Sequence, residues 1–278
     1  MNTLSVHPVL DFWKFLRRPI AENLSASLTR KLVIVLMIVA LDILISLGTG
    51  PLTELMIEVS QFDDQAVVEE FTPSVLLTGV LLVPLIEEVF FRLGLAPNIL
   101  FLFITLFSTT VQYAPFPSNL FDEFGIAVAA KVLFYLALSV GISLFFWIRQ
   151  RRGHPYADFF KRNIAIYYYV GAVWFGLAHI GNYANTPPVW LVPFLLLPQI
   201  LGGFTFGYLR IRLGFWFGVL AHMLVNLLFN LGDLMNYLVG PQGGVAWLIF
   251  LIVFSLITLY FPLITRKRLA RADGSPVG

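Results

Sequence analysis

The sequence predicts an all-α fold, a polytopic membrane bundle of about eight transmembrane helices, and three observations carry that reading. Hydrophobic residues make up 58% of the 278-residue chain and charged residues only 12%, where about a quarter would be charged in a soluble domain. Mean hydropathy is +0.83, so lipid is the solvent, and lipid admits only helices or closed barrels. The apolar residues come in long runs of Leu, Ile, Val and Phe without strict alternation, which selects helices over barrel strands.

The elements follow in order. The first twenty residues carry Asp11, Lys14, Arg17 and Arg18 and so lack the clean apolar core of a cleavable signal. The stretch Val9 to Arg18 reads either as an amphipathic turn or two at the lipid interface or as a flexible basic tail. Residues 1–31 form a basic N-terminal segment. Eight apolar segments come next, at 32–49, 74–96, 98–113, 126–148, 163–182, 188–209, 214–231 and 245–265. Seven reach the roughly 17–25 residues a spanning helix needs, and 98–113 is marginal. Residues 266–278 are a basic tail. With no repeat or low-complexity tract, 32–265 reads as one membrane domain.

Charge tests the count and sets the orientation. With the N-terminus inside, the inside segments hold Lys14, Arg17, Arg18, Arg30 and Lys31, then Arg149, Arg151, Arg152, Lys161 and Arg162. Arg210, Arg212, Arg266, Lys267, Arg268 and Arg271 fall on the same side, whereas loops 51–73 and 114–125 have Asp and Glu but no Lys or Arg. The positive-inside rule therefore places both termini in the cytoplasm. Dropping the marginal third segment would leave basic loops on both sides, so eight spans fit better than seven. A net charge of +2, small and divided, excludes nucleic acid as a partner, and the absence of cysteine excludes disulfides and thiolate metal sites.

Ionisable groups in a bilayer core cost at least about 2.5–3.5 kcal/mol each and persist where a wet cavity or a partner receives them. They concentrate in three places. In the second segment Glu88 and Arg92 stand four apart, the spacing at which helix side chains pair. Glu87, about 100° round the helix, is left facing elsewhere in a poorly hydrated site, which suits a residue that shuttles a proton. The alternative is a structural ion-pair cluster. In the fifth segment His179 follows Phe175 by four, with the small Gly176 and Ala178 allowing close helix approach. In the seventh, His222 and Asn226 share a face. Each of these last two also reads as an interhelical hydrogen-bonding group.

Combined, the groups match the needs of water attack on an amide: a base, an acid for the leaving amine and donors for the oxyanion. Glu87 with His179 supplies the first two, His222 and Asn226 the third. A carboxylate with two imidazoles is also a normal zinc set, so Glu87, His179 and His222 would be the ligands of a divalent metal, although the His-Glu-x-x-His arrangement is absent. The same side chains also serve a proton or ion carrier or a partner-binding scaffold. A carrier of that kind often shows pseudo-symmetric halves, and none is visible here.

Glu-Glu-x-x-x-Arg (Glu87, Glu88, Arg92), Phe-x-x-x-His (Phe175, His179) and His-x-x-x-Asn (His222, Asn226), in this order on separate helices, resemble the CAAX prenyl protease and bacteriocin-processing (CPBP, or Abi) family, over residues 74–232. The resemblance implies an intramembrane endopeptidase working in a cavity within the bundle. It implies that Glu87 and His179 activate water while His222 and Asn226 stabilise the oxyanion, with Glu88, Arg92 and Phe175 in support. The implied substrate is a prenylated CAAX-type C-terminus or another membrane-associated peptide. No cofactor is required in a glutamate mechanism, which is favoured over zinc because two groups suffice to activate water.

Depth sets a condition on this site. At about 1.5 Å per residue, Glu87 lies roughly 14 Å from the inner end of its segment, His222 roughly 12 Å, but His179 roughly 24 Å if its helix starts at Asn163. Either a start nearer Tyr168, with 163–167 at the interface, or a strong tilt would reconcile them, and the later start is expected. Of the remaining polar residues, Asp42 and Lys131 read as a pair or as snorkelling groups, and Gln199 as a candidate to line the cavity.

Overall fold

A computed structural model describes residues 7–62, 76–117, 126–183 and 185–272, and among them the chain forms eleven α-helices and no strand. In chain order these are α1 (Pro8–Arg17), α2 (Leu28–Ser60), α3 (Val83–Arg92), α4 (Ile99–Tyr113), α5 (Ala127–Arg151) and α6 (Tyr156–Arg162). They continue with α7 (Ile164–Ala178), α8 (Val192–Leu195), α9 (Leu197–Leu213), α10 (Phe215–Val239) and α11 (Pro241–Ala272). A π-helical turn, Thr78–Leu82, runs into α3, and a 3₁₀ turn, His179–Asn182, continues α7. Much of the two acidic loops, the start of the second apolar segment and the last six residues of the basic tail lie outside the described residues.

Each of the eight apolar segments falls on helix. Five helices are long and apolar enough to cross a bilayer by length and composition, at Leu28–Ser60, Ala127–Arg151, Ile164–Asn182, Phe215–Val239 and Pro241–Tyr260. The chain is an integral membrane protein. The third segment is short, 15 residues, and starts where Asn98 caps it, Oδ1 accepting from the amides of Leu100 (2.9 Å) and Phe101 (3.3 Å). Ser27 caps α2 in the same way through the amide of Arg30.

The helices sort into an inner set and an outer set. α2, α3, α7, α9 and α10 pack on one another and, among the described residues, hold all the buried charged groups and His222. α5 packs mainly on α4 and exposes Val128, Leu133, Phe134 and Phe145, while α11 covers α2 and α10 and exposes Ile249 and Ile257. Those are lipid-facing surfaces. The closest contact inside the bundle is between α7 and α9. A side chain on Gly203 would press against the backbone of Ala172, and one on Gly176 would collide with Ile200, so the close approach expected at Gly176 occurs.

α1 packs onto this inner set. Phe12 and Phe15 are buried and meet Tyr208 and Tyr168 edge-on. Asp11 accepts from the Tyr208 hydroxyl (2.8 Å) and pairs with Arg212 (3.5 Å), and Tyr169 donates to the Leu16 carbonyl (2.7 Å).

Two expectations need correction. α7 begins at Ile164, not near Tyr168, because α6 hands over to it through Asn163 and Ile164 itself is buried in the core. The depth problem is resolved differently: Leu95, just past the end of α3, and Tyr168 both lie against Gly207, so the first turn of α7 projects beyond α3. Counted from Tyr168, His179 is about 16 Å along its helix, close to the depth of Glu87. Asp42, in turn, does not pair with Lys131. It is buried and accepts from the Thr205 hydroxyl at 2.6 Å, because α9, not α5, packs against that part of α2.

Candidate active site

The centre is built on the last turns of α3, the end of α7 and the middle of α10. Glu87 and Glu88 are adjacent on α3 and diverge as helical geometry requires. Glu88 is fully buried and forms an ion pair with Arg92, one turn on. The Arg92 guanidinium lies over the ring of Phe175 at 4.0 Å and near that of Phe206 at 5.2 Å, so aromatic faces cover the cation where no water can. Arg210 closes the end of α3, donating from Nε to the Arg92 carbonyl (3.0 Å) and from Nη2 to the Leu93 carbonyl (3.1 Å).

Glu87 faces the opposite way and is partly accessible, as is His179. Its Oε1 is 3.8 Å from His179 Nε2, and its Oε2 is 3.4 Å from His222 Nε2. Each imidazole is oriented through its other nitrogen. His179 Nδ1 lies 2.8 Å from the Phe175 carbonyl, one turn back, which as an acceptor requires Nδ1 to carry the hydrogen. The four-residue spacing of Phe175 and His179 is therefore the reach of a helical side chain to its own preceding turn. His222 Nδ1 lies 3.0 Å from Glu88 Oε1, and the ring is stacked on Phe206 at 4.5 Å. Glu88 thus binds Arg92 and His222 at once, and the two carboxylates of the Glu-Glu pair clasp His222 from its two nitrogens.

Asn226 is held by a gap in the backbone ladder. Val83 donates to Thr78, a π-register bond, and in that register the carbonyl of Gly79 falls opposite residue 84. Residue 84 is proline and has no N–H to give. Asn226 Nδ2 fills the place at 3.0 Å, and Asn230 Nδ2 donates to the Asn226 carbonyl at 2.8 Å.

Two cavities open onto this centre and share His179, His222 and Asn226. One, of about 460 Å³, also touches Glu87, Tyr113 and Asn230. The other, of about 340 Å³, also touches Asp42, Gln199, Phe206 and Phe229. Carboxylate, imidazoles and amide thus all face space that solvent or a substrate can enter.

A family profile described as type II CAAX prenyl endopeptidase, Rce1-like, matches residues 69–228, more than half of the chain. The chain belongs to this family. No curated protein and no solved structure matches it. As an Rce1-like chain it is an intramembrane protein of the CAAX-endopeptidase class.

Within this Rce1-like centre the structure brings together Glu87, His179, His222 and Asn226, with Glu88, Arg92 and Phe175 behind them. Gln199 lines a cavity as the sequence suggested. Sequence reasoning missed Asp42, Tyr113, Phe206, Arg210 and Asn230. Only two had a usable signal: Asp42 was a lone carboxylate in a span, and Asn230 continues the four-residue spacing of His222 and Asn226. A metal finds no ready set here. Among the described residues no group of three His, Asp, Glu or Cys side chains is found that could hold one.

Proposed function

We propose that this protein is an intramembrane endopeptidase that hydrolyses a peptide bond with a water activated by Glu87 and His179, without a metal. The observation that carries the reading is the Glu87 carboxylate lying between the Nε2 atoms of two histidines that line both cavities, with Glu87 itself facing one of them. His179 in its neutral form has its hydrogen on Nδ1, so Nε2 offers a lone pair. Glu87 Oε1 and His179 Nε2 are then two acceptors 3.8 Å apart with no hydrogen between them. A water that donates one hydrogen to each keeps its lone pairs free for the carbonyl carbon. Glu87 takes the proton as the C–O bond forms and returns it to the amine as the C–N bond breaks.

His222 and Asn226 receive the charge that develops on the carbonyl oxygen. Asn226 commits one amide hydrogen to Gly79 and keeps the second. His222, with a hydrogen on each nitrogen, donates to Glu88 through Nδ1 and presents Nε2–H to the cavity. Glu87 and Glu88 on either side, with Arg92, then leave the cluster electrically neutral. Preorganised donors of this kind, shielded from water, are commonly the largest single contribution to such a reaction.

The substrate class is that of the family, a prenylated CAAX-type C-terminus or a comparable membrane-bound peptide, met in the bilayer. The distribution of Lys and Arg supports cytoplasmic termini; because the chain has no cysteine, single cysteines placed at either end and labelled from one side would check this. The activity is tested with purified protein in liposomes and a farnesylated CAAX peptide. Wild type is expected to release the C-terminal fragment, Glu87→Ala to release none, and metal chelators to leave the rate unchanged. Chelator-induced loss that zinc restores would overturn the metal-free step, and full activity in Glu87→Ala would overturn the whole assignment.

A further inference from the structure

We infer that the cavity lined by Asp42 and Gln199 is the berth for an extended peptide backbone next to the scissile bond, with Asp42 accepting a substrate N–H; this rests on the peptidase reading above. The cavity meets the centre at His179, His222 and Asn226 but does not touch Glu87. Its walls differ. Phe175, Phe206 and Phe229 are apolar, whereas Asp42 and Ser46, one turn apart on α2, face the cavity with Gln199 from α9.

The polar wall has acceptors in excess. Asp42 is 3% exposed. Its Oδ1 accepts from Thr205, and Oδ2 has no protein donor among the described residues. Gln199 Oε1 is buried and has no hydrogen-bond partner. The buried Gln199 oxygen is costly until a donor reaches it, and Asp42 presents a further acceptor to the same cavity. An extended peptide brings what both walls lack: backbone N–H groups in a row and side chains that alternate to the other face. A free fatty acid or lipid tail would satisfy only the aromatic wall, so the carboxylate and amide point to a peptide.

The site also explains why Asp42 is tolerated at all. Thr205 does not depend on it, since its hydroxyl also lies 3.0 Å from the Gly202 carbonyl. Asp42→Ala therefore leaves no orphaned hydroxyl, and the folded protein should remain testable.

The experiment uses full-length enzyme in liposomes and a farnesylated CAAX peptide, with analogues N-methylated at one non-scissile amide at a time. In wild type one such methylation should raise KM about ten- to a hundredfold, the order expected for a lost hydrogen bond to a charged acceptor, with kcat little changed. Asp42→Ala should raise KM for the parent peptide by a similar factor and become indifferent to methylation at that position. Thr205→Val, which keeps the carboxylate, should stay sensitive. If Asp42→Ala fails to insert, Gln199→Ala carries the same comparison. Equal KM for all the analogues in wild type, or undiminished methylation sensitivity in the variant, would overturn the berth while leaving the peptidase intact. Absence of any cleavage by wild type would instead remove the reading on which it rests.

Discussion

Two carboxylates adjacent in sequence stand in opposite surroundings, and the contrast divides the site into a sealed half and an open half. Glu88 has no exposed surface and is bound by Arg92 and His222 under the rings of Phe175 and Phe206. Glu87 keeps part of its surface open to a cavity and makes no contact shorter than 3.4 Å with either histidine. The sealed half lies out of a substrate's reach and fixes geometry, Glu88 Oε1 holding Arg92 and His222 while Glu88 Oε2 and Arg92 Nη2 stay buried without a hydrogen-bond partner among the described residues. The open half has acceptors and lone pairs waiting. On the proposed mechanism, position is thus supplied by one carboxylate and chemistry by the other.

The largest test of this division is Glu87→Ala. It should lower kcat about 10²–10⁴-fold, the usual range for a lost acid–base group, while the melting temperature in detergent stays that of wild type. A marked fall in stability would move Glu87 into the sealed half. Arg92→Leu should show the reverse pattern. Removing one partner of a buried pair leaves an uncompensated charge and costs about 3–5 kcal/mol, to be read as a lowered thermal midpoint and poor recovery from membranes. Normal stability there would mean that His222 alone holds Glu88.

Asn226→Ala lies on the border and should cost about 10²–10³ in kcat, as for a single oxyanion donor, with KM nearly constant; a pure KM effect would assign the amide to substrate binding instead. The smallest effect is expected from Pro84→Ala. The new N–H can reach the Gly79 carbonyl and compete with Asn226, so kcat should fall by up to about tenfold, the worth of one hydrogen bond. In the Asn226→Ala background the same change should do nothing further. Additive losses would show that proline acts only through helix shape.

What could be read from the sequence follows from how far apart the partners lie. Glu88 with Arg92, Phe175 with His179 and His222 with Asn226 are each four apart on one helix, so a single helical repeat announces them. The all-helical membrane fold was equally legible, since composition demands lipid and the unbroken apolar runs select helices over barrel strands. Asp42 was misread because its partner, Thr205, is 163 residues away, and no local rule links them. The same holds for Phe206 beneath His222 and for Arg210 at the end of α3. Pro84 was visible in the sequence, but its effect depends on the π register of Thr78–Leu82, and a local pattern of apolar residues does not distinguish that from an α register.

The packing of α1 has a consequence for the order in which the molecule is made. Its partners Tyr169, Tyr208 and Arg212 lie 153, 197 and 201 residues downstream of Leu16 and Asp11. At roughly 5–20 residues per second of synthesis, α1 waits on the order of ten to forty seconds for the groups that bury Phe12 and Phe15. During that interval its aromatic face has only lipid headgroups or a chaperone to rest on. Docking of α1 is then a late step of assembly, and it closes the bundle over Tyr168 and Tyr208.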